Sequence, residues 1–321
     1  MYICPHQLKT NNTMRKTILA LMATAAIVAC SKSDDKDSKD SPSTKYPTKI
    51  TEITGTTRVE RTFELQDATH PKKETQLNYT NGSLTEDKRI YEYEYDSSGR
   101  LSKKKFQLIA HLINYGDETV YHYRADGKLE KDVLHSALQN NLFGTSYQYR
   151  ADGKLTKKEY KSPSNLGLHI ETEYVYPADN IVRVTVKSYE QNDAGVKEEE
   201  SSSWHTYTLD GNNNVVKDEY SDATYRYVIE KEYDSKINPE WAEFFLKSNP
   251  DYFITTSRNN IIQEVTTKTE INNSTKVTKQ IKKYKYQYNG DYPIKRTTYL
   301  VSTDDKGVET ETEQSILEYS Y

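Results

Sequence analysis

The segment Tyr91-Glu92-Tyr93-Glu94-Tyr95-Asp96-Ser97-Ser98-Gly99-Arg100-Leu101 decides the fold of this chain of 321 residues. Its tyrosines alternate with glutamates, and a period of two is typical of a strand with one buried face. The Asp and Gly that follow Tyr95 are residues that favour a tight turn. Arg100 and Leu101 then open a second strand. The segment therefore predicts a β-hairpin.

The same unit recurs along the chain, which makes internal repetition the main feature of the sequence. Two more copies keep the turn and the leucine, and three degenerate copies keep the aromatic-to-aliphatic spacing. The close copies are Tyr123–Leu129 and Tyr149–Leu155, and the degenerate ones are Tyr176–Val182, Leu209–Val215 and Tyr288–Ile294. A copy every ~27 residues predicts fourteen to sixteen strands between residues 50 and 321.

Successive hairpins joined by short turns form an antiparallel meander. A sheet this long tends to curl or close, because closure removes exposed edges. We therefore expect an all-β domain over residues 49–321, curled or closed into a soluble barrel-like sheet. A transmembrane porin is the competing architecture, but its outward faces must be apolar. The strand at residues 279–285 carries lysines where lipid contact would fall.

The repeats also carry a family resemblance. The pattern Tyr-x-Tyr-Asp-x-x-Gly-Arg-Leu resembles the YD repeats of bacterial RHS-type proteins. Three later segments, at residues 233–239, 257–260 and 286–295, resemble a Bacteroidetes lipoprotein family of unknown function. The likeness covers roughly residues 75–321. It implies a porin-like, many-stranded antiparallel fold, and it supplies no catalytic residue.

One segment, residues 238–250, interrupts the β pattern. Asn238 suits a helix N-cap, Pro239 suits the first helical position, and Pro250 ends the run, so we expect one short helix near residues 239–248. The aromatic residues there have two interpretations. They either plug a barrel end or cover an edge, or they form a ligand platform for a sugar, made of Trp241, Phe244 and Phe245.

The amino end indicates export and lipid attachment. Arg15 and Lys16 precede an uncharged stretch from Thr17 to Ala29, and Cys30 follows. This order is typical of a signal peptide over residues 1–29, with Met14 as the true start. Ala29 before Cys30 resembles a bacterial lipobox, which implies lipidation of Cys30. The alternative is ordinary secretion with cleavage after Ala25.

Residues 30–48 then form the lipidated Cys and a disordered tether, rich in Ser, Asp, Lys and Pro. Its acidic cluster, residues 34–37, resembles the surface-export signal of Bacteroidetes lipoproteins, and solvated linker charge is an equal interpretation. We expect an outer-membrane, lipid-anchored protein that faces outward. The membrane is thus one expected partner, through the lipid.

No motif for catalysis, metal binding or a cofactor stands out in the sequence. Seven His are scattered singly, and His122 has no second ligand at a suitable spacing. The acidic run Glu198-Glu199-Glu200 alternates between strand faces and favours a solvated edge. Without residues 1–29 the chain has 41 basic and 48 acidic residues, a net charge of −7, which argues against nucleic acid.

Two functions of different class remain open. The first is a non-enzymatic cell-envelope protein that binds a glycan or a surface protein or serves as a scaffold. The second is a hydrolase acting on surface polysaccharide through carboxylates that the sequence does not reveal. A third hypothesis is an RHS-like shell that encloses a partner.

Overall fold

The computed structural model describes residues 45–110, 113–136, 141–162, 167–191, 197–242, 249–304 and 307–321. Within these ranges the chain forms one sheet of eighteen strands. The strands are β1 Lys49–Thr54, β2 Thr57–Leu65, β3 Pro71–Thr80, β4 Ser83–Tyr95, β5 Leu101–Ala110, β6 Ile113–Tyr123, β7 Leu129–Ser136, β8 Asn141–Tyr149, β9 Leu155–Lys161, β10 Leu168–Ala178, β11 Ile181–Gln191, β12 Lys197–Leu209, β13 Val215–Ser221, β14 Tyr225–Ile237, β15 Asn259–Glu270, β16 Asn273–Asn289, β17 Tyr292–Thr303 and β18 Glu309–Ser320.

The sheet closes into a barrel. Each strand pairs antiparallel with the next along the chain, and β1 pairs with both β2 and β18. Closure leaves no strand edge of the described sheet unpaired, which is the reason for which the sequence predicts it. The predicted all-β closed meander is therefore confirmed.

The predicted number of strands, fourteen to sixteen, was too low. Several connections have only two residues, such as Gly55-Thr56, Asn81-Gly82 and Ile271-Asn272. Asn81 and Gly82 adopt φ of 51° and 79°, which a tight hairpin turn requires. The repeat spacing of ~27 residues predicts longer connections than these, and hence fewer strands.

The tyrosines of the repeat face the inside of the barrel. In β4 Tyr93 is 4% exposed, and its hydroxyl donates to Glu74 Oε2 on β3 at 2.9 Å. The intervening Glu92 and Glu94 are exposed on the outer wall. The tyrosines and glutamates that alternate in the sequence therefore alternate between the interior and the outer face of the barrel, because successive side chains of a strand point to opposite faces.

The last tyrosine of a repeat ties it to the repeat before. Tyr123 donates its hydroxyl to the Leu101 carbonyl at 2.7 Å, and Tyr149 donates to the Leu129 carbonyl at 2.8 Å. The Arg100 guanidinium lies 4.5 Å from the centre of the Tyr123 ring. Arg124 and Arg150 make the equivalent contacts with Tyr149 and Tyr176, so the copies form a ladder of hydroxyl bonds and cation–π contacts along one rim.

All even-numbered strands end at this same rim, because neighbouring strands run in opposite directions. The turn after β4, the insertion after β14 and the carboxyl end of β18 lie there. The chain also enters β1 at this rim, where Tyr46 is buried against Phe63 with ring centroids 5.0 Å apart. We call this rim the plug end, after the insertion described below. No helix in the described ranges is long and apolar enough to span a bilayer.

Candidate functional site

Residues 238–242 and 249–258, the described parts of the segment between β14 and β15, form what we call the plug. Its first turn is a 3-10 helix, Pro239–Ala242, and Asn238 caps it by accepting the Glu240 amide on its side-chain oxygen at 3.0 Å. The predicted helix thus begins at the predicted cap. Residues 243–248 lie outside the described ranges. A second helical turn, Tyr252–Thr255, was not predicted from the sequence.

One side of the plug is bound to the wall at β9 and β10 through buried charge. Asp251 Oδ2 lies 2.9 Å from Lys158 Nζ, and the two side chains are only 8% and 10% exposed. The Tyr174 hydroxyl donates to the same carboxylate oxygen. Phe253 and Ile254 of the plug pack against the largest apolar cluster, which includes Leu155 and Val182. These contacts hold the plug both electrostatically and by apolar burial.

A second buried carboxylate lies close to this pair. Asp132 of β7 accepts the Tyr147 hydroxyl on Oδ2 at 2.7 Å. Burial raises the pKa of Asp132, against the opposing effects of the Tyr147 hydrogen bond and of the Lys158 charge. Burial also raises the pKa of Tyr147 well above its usual value. Lys158 is therefore set between two carboxylates inside the bore.

The other side of the plug faces β1, β2, β17 and β18. Glu240 lines an internal cavity of about 240 Å³ together with Glu52, Arg61 and Arg296. Ile50, Val59 and Leu317 complete the lining. Along the same wall, Arg61 forms an ion pair with Glu74 of the neighbouring strand β3 at 2.8 Å, and Glu74 is 4% exposed. The cavity is thus lined by both acidic and basic side chains.

The two sets of contacts lie on opposite walls. In a ring of eighteen strands, β9 and β10 stand half a circumference from β18 and β1. Asp251 binds the first wall, and Glu240 lies against the second. The plug therefore crosses the bore at its end of the barrel. This outcome agrees with the interpretation of the segment as a barrel plug.

The predicted ligand platform is described only in part. The Trp241 ring packs against Tyr252 with centroids 4.2 Å apart, and the Trp241 carbonyl accepts the Tyr252 hydroxyl at 2.9 Å. Trp241 thus joins the two helical turns of the plug. Phe244 and Phe245 lie outside the described residues, as does Cys30, so the platform and the lipid anchor stay predictions.

The other residues singled out in the sequence lie on strands. His122 is exposed on β6, on the face opposite the tyrosines. Glu198, Glu199 and Glu200 belong to β12, and the placement of their side chains lies outside what the structure describes. The buried group of Asp132, Lys158 and Asp251 was missed, because its members come from three separate parts of the chain.

The outer wall carries a shallow groove of about 700 Å³ over β4 to β7. Gly116 lies in it and leaves the β5 backbone uncovered. The polar side chains around it include Glu92, Lys105, Glu118 and His135. Gln107 and Asn114 form an amide hydrogen bond of 3.0 Å across the strands. The groove offers donors and acceptors to a polar ligand.

Ion pairs extend over the outer wall. Lys105 binds Glu94 at 2.7 Å, and Lys103 binds Glu118 at 3.3 Å. On the other half of the ring, Lys283 binds Glu309 at 2.7 Å. A lipid-facing barrel needs a continuous apolar band on this face. The described wall presents charge there instead.

Fold and site together define a closed, eighteen-stranded antiparallel barrel with a plug across one end. No family model matches the sequence, and no curated protein matches it either. The structure is similar to a porin-like protein from Bacteroides uniformis, with 12% identity, a TM-score of 0.44, and coverage of 87% of this chain and 99% of that chain. A porin-like protein from Bacteroides vulgatus gives 12% identity, a TM-score of 0.44, and coverage of 86% and 98%.

Proposed function

We propose that this chain is a lipid-anchored protein of the outer-membrane surface that works without catalysis, as a scaffold or as a binder of a glycan or a surface protein. The observation that carries the proposal is the plug. Because the plug is bound to one wall through Asp251 and lies against the opposite wall at Glu240, the barrel is a poor conduit for solutes. It also leaves little room at this end for an enclosed partner, which argues against a shell.

The outer wall supports the same proposal. Its ion pairs favour contact with water over contact with lipid acyl chains. The chain enters the barrel at the plug end, directly after the tether that starts at Cys30. A lipid on Cys30 would therefore hold the plug end nearest the membrane and present the opposite end outward.

The anchor is tested by labelling cells that express the full chain with an alkyne fatty acid. We expect labelling of the wild type and none of Cys30→Ala. Protease added to intact cells should cleave the labelled protein if it faces outward. Full protection in intact cells, with cleavage only after the envelope is opened, would place the protein inside.

The binding version is tested on a glycan array with two matched variants. Trp241→Ala removes the plug tryptophan, and Trp204→Ala removes the other tryptophan of the chain, which is 39% exposed on β12. Binding that Trp241→Ala abolishes and Trp204→Ala retains would support a platform on the plug. The absence of binding to every glycan would leave only the scaffold role.

The alternative is a hydrolase acting on surface polysaccharide, and one observation favours it. The outer groove holds two carboxylates on the outer face, those of Glu92 and Glu118. Glycoside hydrolysis needs an acid and a second carboxylate on either side of the scissile bond. Release of reducing ends from envelope polysaccharide that Glu92→Gln or Glu118→Gln abolishes would replace the binding proposal with this one.

A further inference from the structure

We propose that Glu159, His169 and Glu171 form a binding site for Zn²⁺ on the outer wall, where β9 meets β10. The site is separate from the plug and from the outer groove. It combines one imidazole nitrogen with two carboxylate oxygens, a donor set that suits this ion.

The distances already approach those of a coordination sphere. His169 Nε2 lies 2.9 Å from Glu159 Oε1 and 3.3 Å from Glu171 Oε1. One ligand atom from each residue lies within 4.8 Å of the other two. Bonds of about 2.1 Å at tetrahedral angles place ligand atoms about 3.4 Å apart. An ion therefore fits if the His169–Glu159 contact opens by about half an ångström and the two carboxylate oxygens approach each other by at most about 1.4 Å.

The strand register gives an independent reason for a cation here. Glu159 and Glu171 stand directly opposite each other in the antiparallel pair. Like charges in this position destabilise a sheet. His169 precedes Glu171 by two residues on the same face and turns its ring toward both carboxylates. A divalent ion between the three side chains would convert this repulsion into ligation.

The histidine is held in place by its surroundings. It is 4% exposed, and its ring packs against Tyr189 of β11 with centroids 5.7 Å apart. Glu159 and Glu171 are 17% and 18% exposed. Ligands with few alternative rotamers lose little entropy on binding, so the site is preorganised.

Lys157 and Lys161 contact the two carboxylates and compete with the ion, and Lys187 of β11 stands opposite Glu171 in the strand register. Lys157 contacts Glu171 through Oε2 at 3.0 Å, whereas Oε1 is the oxygen that faces His169. Lys161 contacts Glu159 Oε1 at 3.4 Å, but its side chain is 62% exposed and can turn toward solvent. Three protein ligands leave a fourth position for water or an external ligand.

The test is calorimetric titration of Zn²⁺ into the full chain freed of any affinity tag. We expect one saturable site, and a rise in melting temperature with Zn²⁺ that a chelator reverses. Glu159→Gln, His169→Gln and Glu171→Gln should each weaken the affinity by about tenfold or more. The matched controls are His122→Gln and Glu311→Gln on the same wall, which should leave it unchanged.

A spectroscopic measurement on the wild type tests the site even if the ligand variants fold poorly. Co²⁺ bound to the wild type should give the visible d–d absorption of a four-coordinate ion, and Zn²⁺ should displace it. The absence of saturable binding in the wild type would overturn the proposal. Binding that the three ligand variants retain, or that the His122 control loses, would overturn it equally.

Discussion

The buried pair of Lys158 and Asp251 fastens the plug to the wall, so breaking it should cost more than a surface ion pair. Asp251→Asn keeps an acceptor for the Tyr174 hydroxyl but leaves the Lys158 ammonium buried without its partner. Removal of one member of a buried pair costs about 3–5 kcal/mol. The Lys158 charge lowers the pKa of Asp132, so the two side chains are close enough for Asp132 to offset part of the loss of Asp251. We therefore expect the lower figure, about 3 kcal/mol.

The reciprocal variant and the double variant complete the cycle. Lys158→Met leaves the Asp251 carboxylate buried and should cost a similar ~3 kcal/mol. Lys158→Met with Asp251→Asn removes both charges and should cost only ~1 kcal/mol, well short of the sum. For a domain of this size each kcal/mol lowers the melting temperature by about 2–4 °C, so each single variant should melt about 6–12 °C lower.

The assay is urea unfolding followed by two signals in a Trp204→Phe background. Trp241 is then the sole tryptophan and reports on the plug, while far-UV circular dichroism reports on the barrel. In the Trp204→Phe protein itself we expect the two signals to change at the same urea concentration. In either single variant we expect the Trp241 signal to change at a lower urea concentration than the circular dichroism. Single variants that cost less than ~1 kcal/mol, or a double variant that costs the sum of the two, would refute the reasoning.

Three further outcomes follow from features described above. Gly116→Ala should cost about 1–3 kcal/mol, because the new Cβ would lie 2.7 Å from the Phe106 carbonyl oxygen, whereas Gly144→Ala, with its nearest atom at 3.7 Å, should cost nothing; equal melting temperatures would contradict this. Tyr123→Phe should cost about 1 kcal/mol in urea titrations by removing its rim hydrogen bond, and an unchanged midpoint would deny the ladder any energetic role. Burial raises the pKa of Asp132, so its contribution to stability is lost as pH rises from the ordinary Asp pKa of 3.8 through the folded pKa; Asp132→Asn should therefore gain stability relative to the wild type over that rise, and a constant difference would show the pKa unshifted.

The barrel could be predicted from the sequence because the patterns that specify its strands and turns lie within short segments of the chain. The Tyr-x-Tyr alternation fixes which face of a strand enters the bore, and Asp-Gly or Asn-Gly fixes where the chain reverses. Closure follows from the need to pair the last edge. The number of strands was predicted less accurately, because the sequence pattern does not mark a two-residue turn such as Gly55-Thr56 between two polar strands.

The sites depend on register, which a single strand does not reveal. Glu159 and His169 are ten residues apart in sequence, and only the pairing of β9 with β10 brings Glu159 opposite Glu171. Lys158 and Asp251 are 93 residues apart and meet because the plug crosses the bore. The sequence predicts the plug segment but not the wall that Asp251 contacts.

The pairing of β1 with β18 has a consequence for how the protein is made. Thr48 and Ser320 form hydrogen bonds across a separation of 272 residues, so the seam is sealed by the first and last strands synthesised. Until β18 emerges, β1 has one unpaired edge, and pairing over such a distance is intrinsically slow. A nascent chain therefore carries an open β1 edge until the last strand of the barrel has been made. Because an unpaired strand edge is a template for pairing with other chains, the protein is most prone to aggregate before β18 pairs with β1.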